Sequence, residues 1–149
     1  MAKHEVIAAS ESTAEELVLA LSDAERRVTR RLSQVLAHHA CTTERWRALT
    51  LLSRGSGHSM SELAEFTQLP PASLTRLVDG LVEDNLVHRK ADPRDRRRVI
   101  VHITPRGRTL QRRLSEAIAA ERDTIFADVG EHQLGHWLES FAALASALR

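Results

Sequence analysis

Between Val87 and Arg108 the chain reads VHRKADPRDRRRVIVHITPRGR. Eight basic side chains (Arg89, Lys90, Arg94, Arg96, Arg97, Arg98, Arg106 and Arg108) meet only two acidic ones, Asp92 and Asp95. This local excess of six positive charges stands against a net charge of +1 for all 149 residues, so the remainder is acidic. Lys and Arg gathered on one segment neutralise phosphates and release their condensed counterions, which is the chemistry of polyanion binding. Just upstream, PASLTRLVDGLVE carries Ala72, Ser73, Thr75, Arg76 and Asp79 on the polar side of an apolar stripe. Arg takes guanine edges in bidentate fashion, Thr and Ala meet a thymine methyl, and Ser bonds a base or a phosphate. Ser73, Thr75 and Arg76 are therefore the candidate base contacts. Asp79 is better placed to orient Arg76 or another basic side chain than to face a polyanion.

Other chemistry is thinner. The cluster His38, His39, Cys41 and His58 lacks the paired Cys and His spacing of a structural zinc site, so neither metal nor cofactor is expected. Cys41 reads as a small buried hydrophobe, with metal or redox sensing through His38, His39 or Cys41 as the alternative. No nucleophile and base pair, phosphate-cradling glycine loop or recognisable carboxylate pair points to an enzyme. Aromatic residues make up 3% of the chain and Tyr is absent, which leaves little material for stacking single-stranded bases and favours a duplex. No apolar run approaches the roughly 20 residues that span a bilayer, and MAKHEVIAASES lacks the apolar centre of a signal peptide. With a single cysteine, the expectation is a cytoplasmic protein without disulfides or membrane contact.

The elements that position these residues follow from periodicity. Leu17, Val18, Leu21, Val28, Leu32, Val35 and Leu36 predict a helix over 13–39, begun by a capping box of Ser12 or Thr13 with Glu15 or Glu16. Thr42 or Thr43 caps a second helix that carries Trp46, Leu49 and Leu52 and stops at Gly55. Ser59 and Glu62 form another capping box. Pro71 then opens a helix with Leu74, Leu77, Val78, Leu81 and Val82 inward, and the two short helices make a helix-turn-helix. Residues 87–89 and 98–103 alternate around ADPRD as a two-stranded hairpin, a wing. Thr104-Pro105 starts a long helix with Leu110, Leu114, Ala117, Ile118, Ile125 and Val129 in its stripe, closing at Gly130. A last helix carries Leu134, Trp137, Leu138, Phe141, Leu144, Ala145 and Leu148, an apolar face that needs a cover and predicts a homodimer.

The fold class is mainly α with a small β-hairpin wing: a winged helix-turn-helix with long flanking dimerisation helices. Residues 1–149 form one domain, with a DNA-binding lobe over about 43–104 and dimerisation helices over 13–39 and 105–148. SELAE, LTRLVDGLVEDNLV, DPRDRR and VHITPRGR, in that order, resemble the MarR family of multiple antibiotic resistance regulators over residues 32–108. The resemblance implies a dimeric regulator, usually a repressor, that binds a pseudopalindromic double-stranded operator and often releases it on binding a small aromatic acid. It implies further that Arg97 enters the minor groove while Asp95 holds it, and that Arg94, Arg96 and Arg98 assist at phosphates. It also implies an effector pocket between the first, second and fifth helices. Arg27 or Arg30 would pair a ligand carboxylate there, His38 would assist, and Trp46 would wall the ring. Two departures from the family pattern stand out: Gln68 occupies the turn where a glycine is usual, and Pro70 stands where a Ser or Asp cap is common. The competing function is a winged-helix module that binds an acidic protein.

Overall fold

The computed structural model describes residues 2–92, 95 and 98–147, with side chains from 13 onward. Helix α1 spans Ala2–Ala37, so it begins well before the expected start at 13. The segment AKHEVIAASESTAEELV contains neither Gly nor Pro and is rich in Ala and Glu, so nothing interrupts the helix and the predicted cap at Ser12 or Thr13 becomes interior. The chain turns at Ala40, whose φ of 50° is left-handed, and Cys41 N donates back to Leu36 O at 3.1 Å. Helix α2 (Thr43–Ser53) is capped by Thr42, whose Oγ1 accepts from Arg45 N at 3.3 Å, and it ends at Arg54, one residue before Gly55.

Strand β1 (His58–Ser59) leads directly into helix α3 (Met60–Thr67), and helix α4 spans Pro71–Glu83. Strands β2 (Val87–Ala91) and β3 (Val99–Ile103) form the antiparallel wing, with Val87 opposite Ile103 and Ala91 opposite Val99. The sheet has three strands in the order β1-β3-β2, not the two expected, because His58 and Ser59 pair with Val101 and Ile100. Helix α5 (Pro105–Ile125) ends at Phe126, short of Val129 and Gly130, where the apolar stripe was expected to close. Helix α6 spans Glu131–Ala147.

Leu36, Leu49, Leu52, Leu63, Leu74, Val78, Leu81, Val87, Val101 and Leu114 form one buried core drawn from α1 to α5 and the sheet. Each such side chain contributes about 1.5–3 kcal/mol by leaving water, and together they lock the helix-turn-helix onto α2 and α5. The wing joins α5 through Thr104. Its hydroxyl donates to Asn85 O at 2.8 Å and accepts from Gly107 N at 3.0 Å, while its own amide donates to Leu86 O at 2.9 Å. A Cβ on Gly107 would stand 2.2 Å from Leu86 O, so only glycine lets α5 start this close to the strand. No described helix is long and apolar enough to cross a membrane.

Candidate nucleic-acid interface

The interface begins with a well-tied scaffold under α4. Ser59 N donates to Glu62 Oε2 at 2.7 Å and Glu62 N donates to Ser59 Oγ at 3.3 Å, a reciprocal capping box that satisfies two amides at the start of α3. Hydrogen bonds from Ser59 hold the Glu62 carboxyl below its ordinary range. Helix α3 stops where Thr67 turns its hydroxyl onto Leu63 O at 2.6 Å and Gln68 takes the left-handed conformation, φ 57° and ψ 31°. The turn thus keeps the geometry that favours glycine while carrying a side chain. Pro70 precedes α4 with no side-chain cap, as expected, and Leu74 N bonds Pro70 O at 2.9 Å.

Leu74, Val78 and Leu81 turn inward, which leaves Ala72, Ser73, Thr75 and Arg76 exposed on one outer face. The structure therefore brings together the three residues proposed for base contact. The Thr75 hydroxyl donates to Pro71 O at 2.9 Å, so its proton is spent within the helix and the exposed side chain offers a partner its methyl and an acceptor oxygen. Among the described residues Arg76 has no ion-pair partner. Asp79 Oδ1 instead holds Arg89 Nη1 of β2 at 2.7 Å, which fixes the helix relative to the wing.

In the wing, Asp92 N donates to Arg98 O and Arg98 N to Asp95 O, both at 2.9 Å, and Asp95 and Arg98 are exposed. Arg94, Arg96 and Arg97 lie outside the described residues. At the wing's base His88 and His102 stack, with ring centroids 5.3 Å apart and planes 14° apart. Burial lowers the His88 pKa, and the Lys90 and His102 charges push it the same way. Gly57, at φ 127°, lies under this pair, where a Cβ would meet the His102 ring at 2.6 Å.

The residues proposed for a ligand are not gathered in one place. Arg27 pairs with Asp23 at 2.5 Å on an open face of α1, and its side chain holds the Asp23 carboxyl below its usual range. Arg30 and His38 are also exposed. Of the four, Trp46 lines a cavity of about 420 Å³, with Glu25, Val28, Thr29, Leu32, Thr50, Arg54 and Phe66 among its walls. A second cavity of about 660 Å³ lies between the starts of α2 and α5 and is walled by Cys41, Arg45, Asp84, Arg106, Leu110 and Arg113. There Arg45 of α2 is ion-paired to Asp84 at the C-terminus of α4. Burial pushes the Cys41 thiol up, which disfavours the thiolate a redox switch would need.

Sequence reading missed the two-residue strand β1, which is too short to show any alternation. It also missed the Arg45–Asp84 pair and the Thr50 and Phe66 walls, which depend on contacts remote in sequence. Phe66 was legible only as an apolar position on α3, but its 40% exposure marks it as a wall and not core.

A MarR-family profile matches residues 41–99, the stretch from the start of α2 to the far strand of the wing. The transcriptional regulator PetP of Rhodobacter capsulatus is 31% identical over 84 residues, 56% of this chain and 51% of that protein, so the chain spans about half the length of that relative. The homoprotocatechuate degradative operon repressor of Escherichia coli is 26% identical over 134 residues, 88% of this chain and 90% of that one. Among solved structures, the transcriptional repressor CouR bound to a 23-mer DNA duplex superposes with a TM-score of 0.80 at 26% identity, covering 89% of this chain and 94% of that one.

Proposed function

We propose that this chain, whose residues 41–99 match the MarR family, is a dimeric repressor of that non-enzymatic type and reads a pseudopalindromic double-stranded operator. The observation that carries this reading is the single outer face of α4, Ser73, Thr75 and Arg76, held beside a cationic wing by the Asp79–Arg89 pair. In this reading α4 enters the major groove, and Arg76 and the Thr75 methyl contact bases. Arg97, held by Asp95, enters the minor groove, and Arg94, Arg96 and Arg98 contact phosphates. Residues 43–104 form the reading lobe, and the helices over 13–39 and 105–148 form the dimer. Leu138 and Phe141 of α6 are 72% and 51% exposed, and Leu17 and Val18 of α1 are comparably open, which supports a second copy as their cover.

A small aromatic acid that releases the operator completes the proposal. The homoprotocatechuate operon repressor supports this through its name, and the arginine-bearing cavities beside α2 support it in chemistry. Arg27, Arg30 and His38 remain proposed carboxylate partners and Trp46 a proposed ring wall. Fluorescence anisotropy on duplex DNA across a salt series tests the regulator reading. Affinity that falls steeply with salt and differs between sequences supports it, whereas binding indifferent to both favours a protein-association module.

A further inference from the structure

The start of α4 is built unlike a phosphate-binding helix end. Pro70 gives it no side-chain cap, and neither Pro70 nor Pro71 carries an amide hydrogen, so the opening turn has fewer donors to offer an anion. Apolar surface stands there instead. Met60, Ser61 and Ala64 of α3 and Pro71, Leu74 and Thr75 of α4 line a notch of about 260 Å³. Leu74, a core residue only 1% exposed, forms its floor, and the exposed Ser61, Pro71 and Thr75 form its rim.

These walls restrict what fits. None of the described residues that line the notch is charged, and of its two hydroxyls that of Thr75 already donates to Pro71 O at 2.9 Å. The volume lies below the range of sites that enclose a whole small molecule, so the notch suits a protruding group and not a free ligand. Thr75 also belongs to the outer face that carries Arg76, which makes the notch continuous with the surface proposed to enter the major groove. The groups that base pairs display in that groove are hydrogen-bond donors and acceptors, with the thymine C5 methyl as the apolar exception. A methyl seated against Leu74 leaves water, whereas an amino or carbonyl group there would lose its water partners and gain few in return.

We propose that the notch between α3 and α4 takes the C5 methyl of one pyrimidine in each half-site, and that the protein therefore reads 5-methylcytosine there as it reads thymine. Operator affinity then responds to cytosine methylation at that position, a control separate from any small ligand. The inference rests on the reading that α4 enters the major groove. It adds α3 to the residues that decide sequence, because Met60 and Ala64 close the side of the notch that α4 leaves open. It also gives the Pro70-Pro71 start a role: the turn that lost its polar cap supplies apolar wall at Pro71.

Duplexes that differ by a single methyl test this. In the sequence that the full-length protein selects from random duplexes, each thymine is replaced in turn by deoxyuridine and the affinity measured by fluorescence anisotropy. At one position in each half-site the loss of the methyl should weaken binding about fourfold. With cytosine placed at that position, 5-methylcytosine should bind about fourfold tighter than cytosine. Ala64→Leu fills the notch from α3 and should make the two members of each pair bind alike, and Ser61→Leu fills it from the exposed rim should Ala64→Leu fail to fold. A protein that selects a sequence yet binds every deoxyuridine duplex as tightly as the parent overturns the notch and leaves the operator reading intact. A methyl effect kept in full by the folded variants also overturns it and assigns the methyl to the outer face of α4. A thymine effect without the 5-methylcytosine effect overturns the response to methylation. A protein that selects no sequence overturns both the notch and the reading it rests on.

Discussion

Asp79 on the solvent side of α4 and Arg89 on the first strand of the wing meet at 2.7 Å, so the helix that presents Arg76 and the hairpin that carries the cationic loop are joined as one surface. Both side chains are partly exposed, and such pairs contribute less than about 1 kcal/mol to stability. Arg89→Ala should therefore change urea unfolding little, yet reduce duplex affinity several-fold because helix and wing lose their fixed relation. A double-mutant cycle with Asp79→Asn separates the pair from any phosphate contact of Arg89. Strong non-additivity in affinity is expected, and simple additivity would assign Arg89 to phosphate alone.

Gly107 is the point of closest approach between α5 and the wing. A Cβ there cannot clear Leu86 O at 2.2 Å without moving backbone. Gly107→Ala should destabilise the protein by about 2–3 kcal/mol, measured by chemical denaturation. Gly135→Ala, on α6 where nothing lies within 4 Å of the added methyl, should be neutral or slightly stabilising.

Much of this was legible in the sequence, and the reasons are local. The Ser59–Glu62 box, the Thr104-Pro105 start and the inward set Leu74, Val78 and Leu81 are each decided within one or two helical turns, so spacing alone reveals them. The left-handed turn at Gln68 was readable only through the family resemblance, which marks a position where glycine is usual. Helix ends were less legible. The start of α1 depends on whether anything breaks an Ala-rich and Glu-rich segment, and Ser12 resembles a cap whether or not the chain uses it. The end of α5 moved from Gly130 to Phe126 because an apolar position at Val129 satisfies the periodicity without being helical. The residues proposed for a ligand were least legible, since Arg27 is engaged locally by Asp23 and the cavity walls around Trp46 form only when α1 and α3 are packed around α2.

The stacked histidines make the wing sensitive to acid. The His88 pKa is lowered in the folded chain, so the unfolded chain binds its proton first and stability rises with pH. The wing's contribution should be complete above the ordinary histidine value of about 6.5 and decline as pH falls through the lowered value. Thermal melts at several pH values between 8 and 5 check this, and His88→Gln should flatten the dependence in that window.

Glu62 gives a second and separate acid response. Its carboxyl pKa is lowered by Ser59, so its contribution is present above the ordinary carboxylate range and lost as pH falls below it. Ser59→Ala should cost about 1 kcal/mol at neutral pH and remove part of that acid sensitivity, as read from denaturation midpoints.

Exposed Leu138 and Phe141 should be covered in solution by a second copy. Leu138→Glu places a charge in that seam and should yield monomers at micromolar concentration by sedimentation, with loss of duplex binding. A wild type that is already monomeric under those conditions would remove the dimer from the account.

The central claim, that two copies of α4 read base edges, is tested most directly by selecting bound sequences from a pool of random duplexes with wild type and Arg76→Ala in parallel. The account predicts enrichment of an inverted repeat with half-site centres roughly 10 base pairs apart. It also predicts that Arg76→Ala relaxes the preference at one position in each half-site, at a cost of about 1–3 kcal/mol. Enrichment of an asymmetric site, or a wild-type and Arg76→Ala preference that are the same at every position, would contradict it.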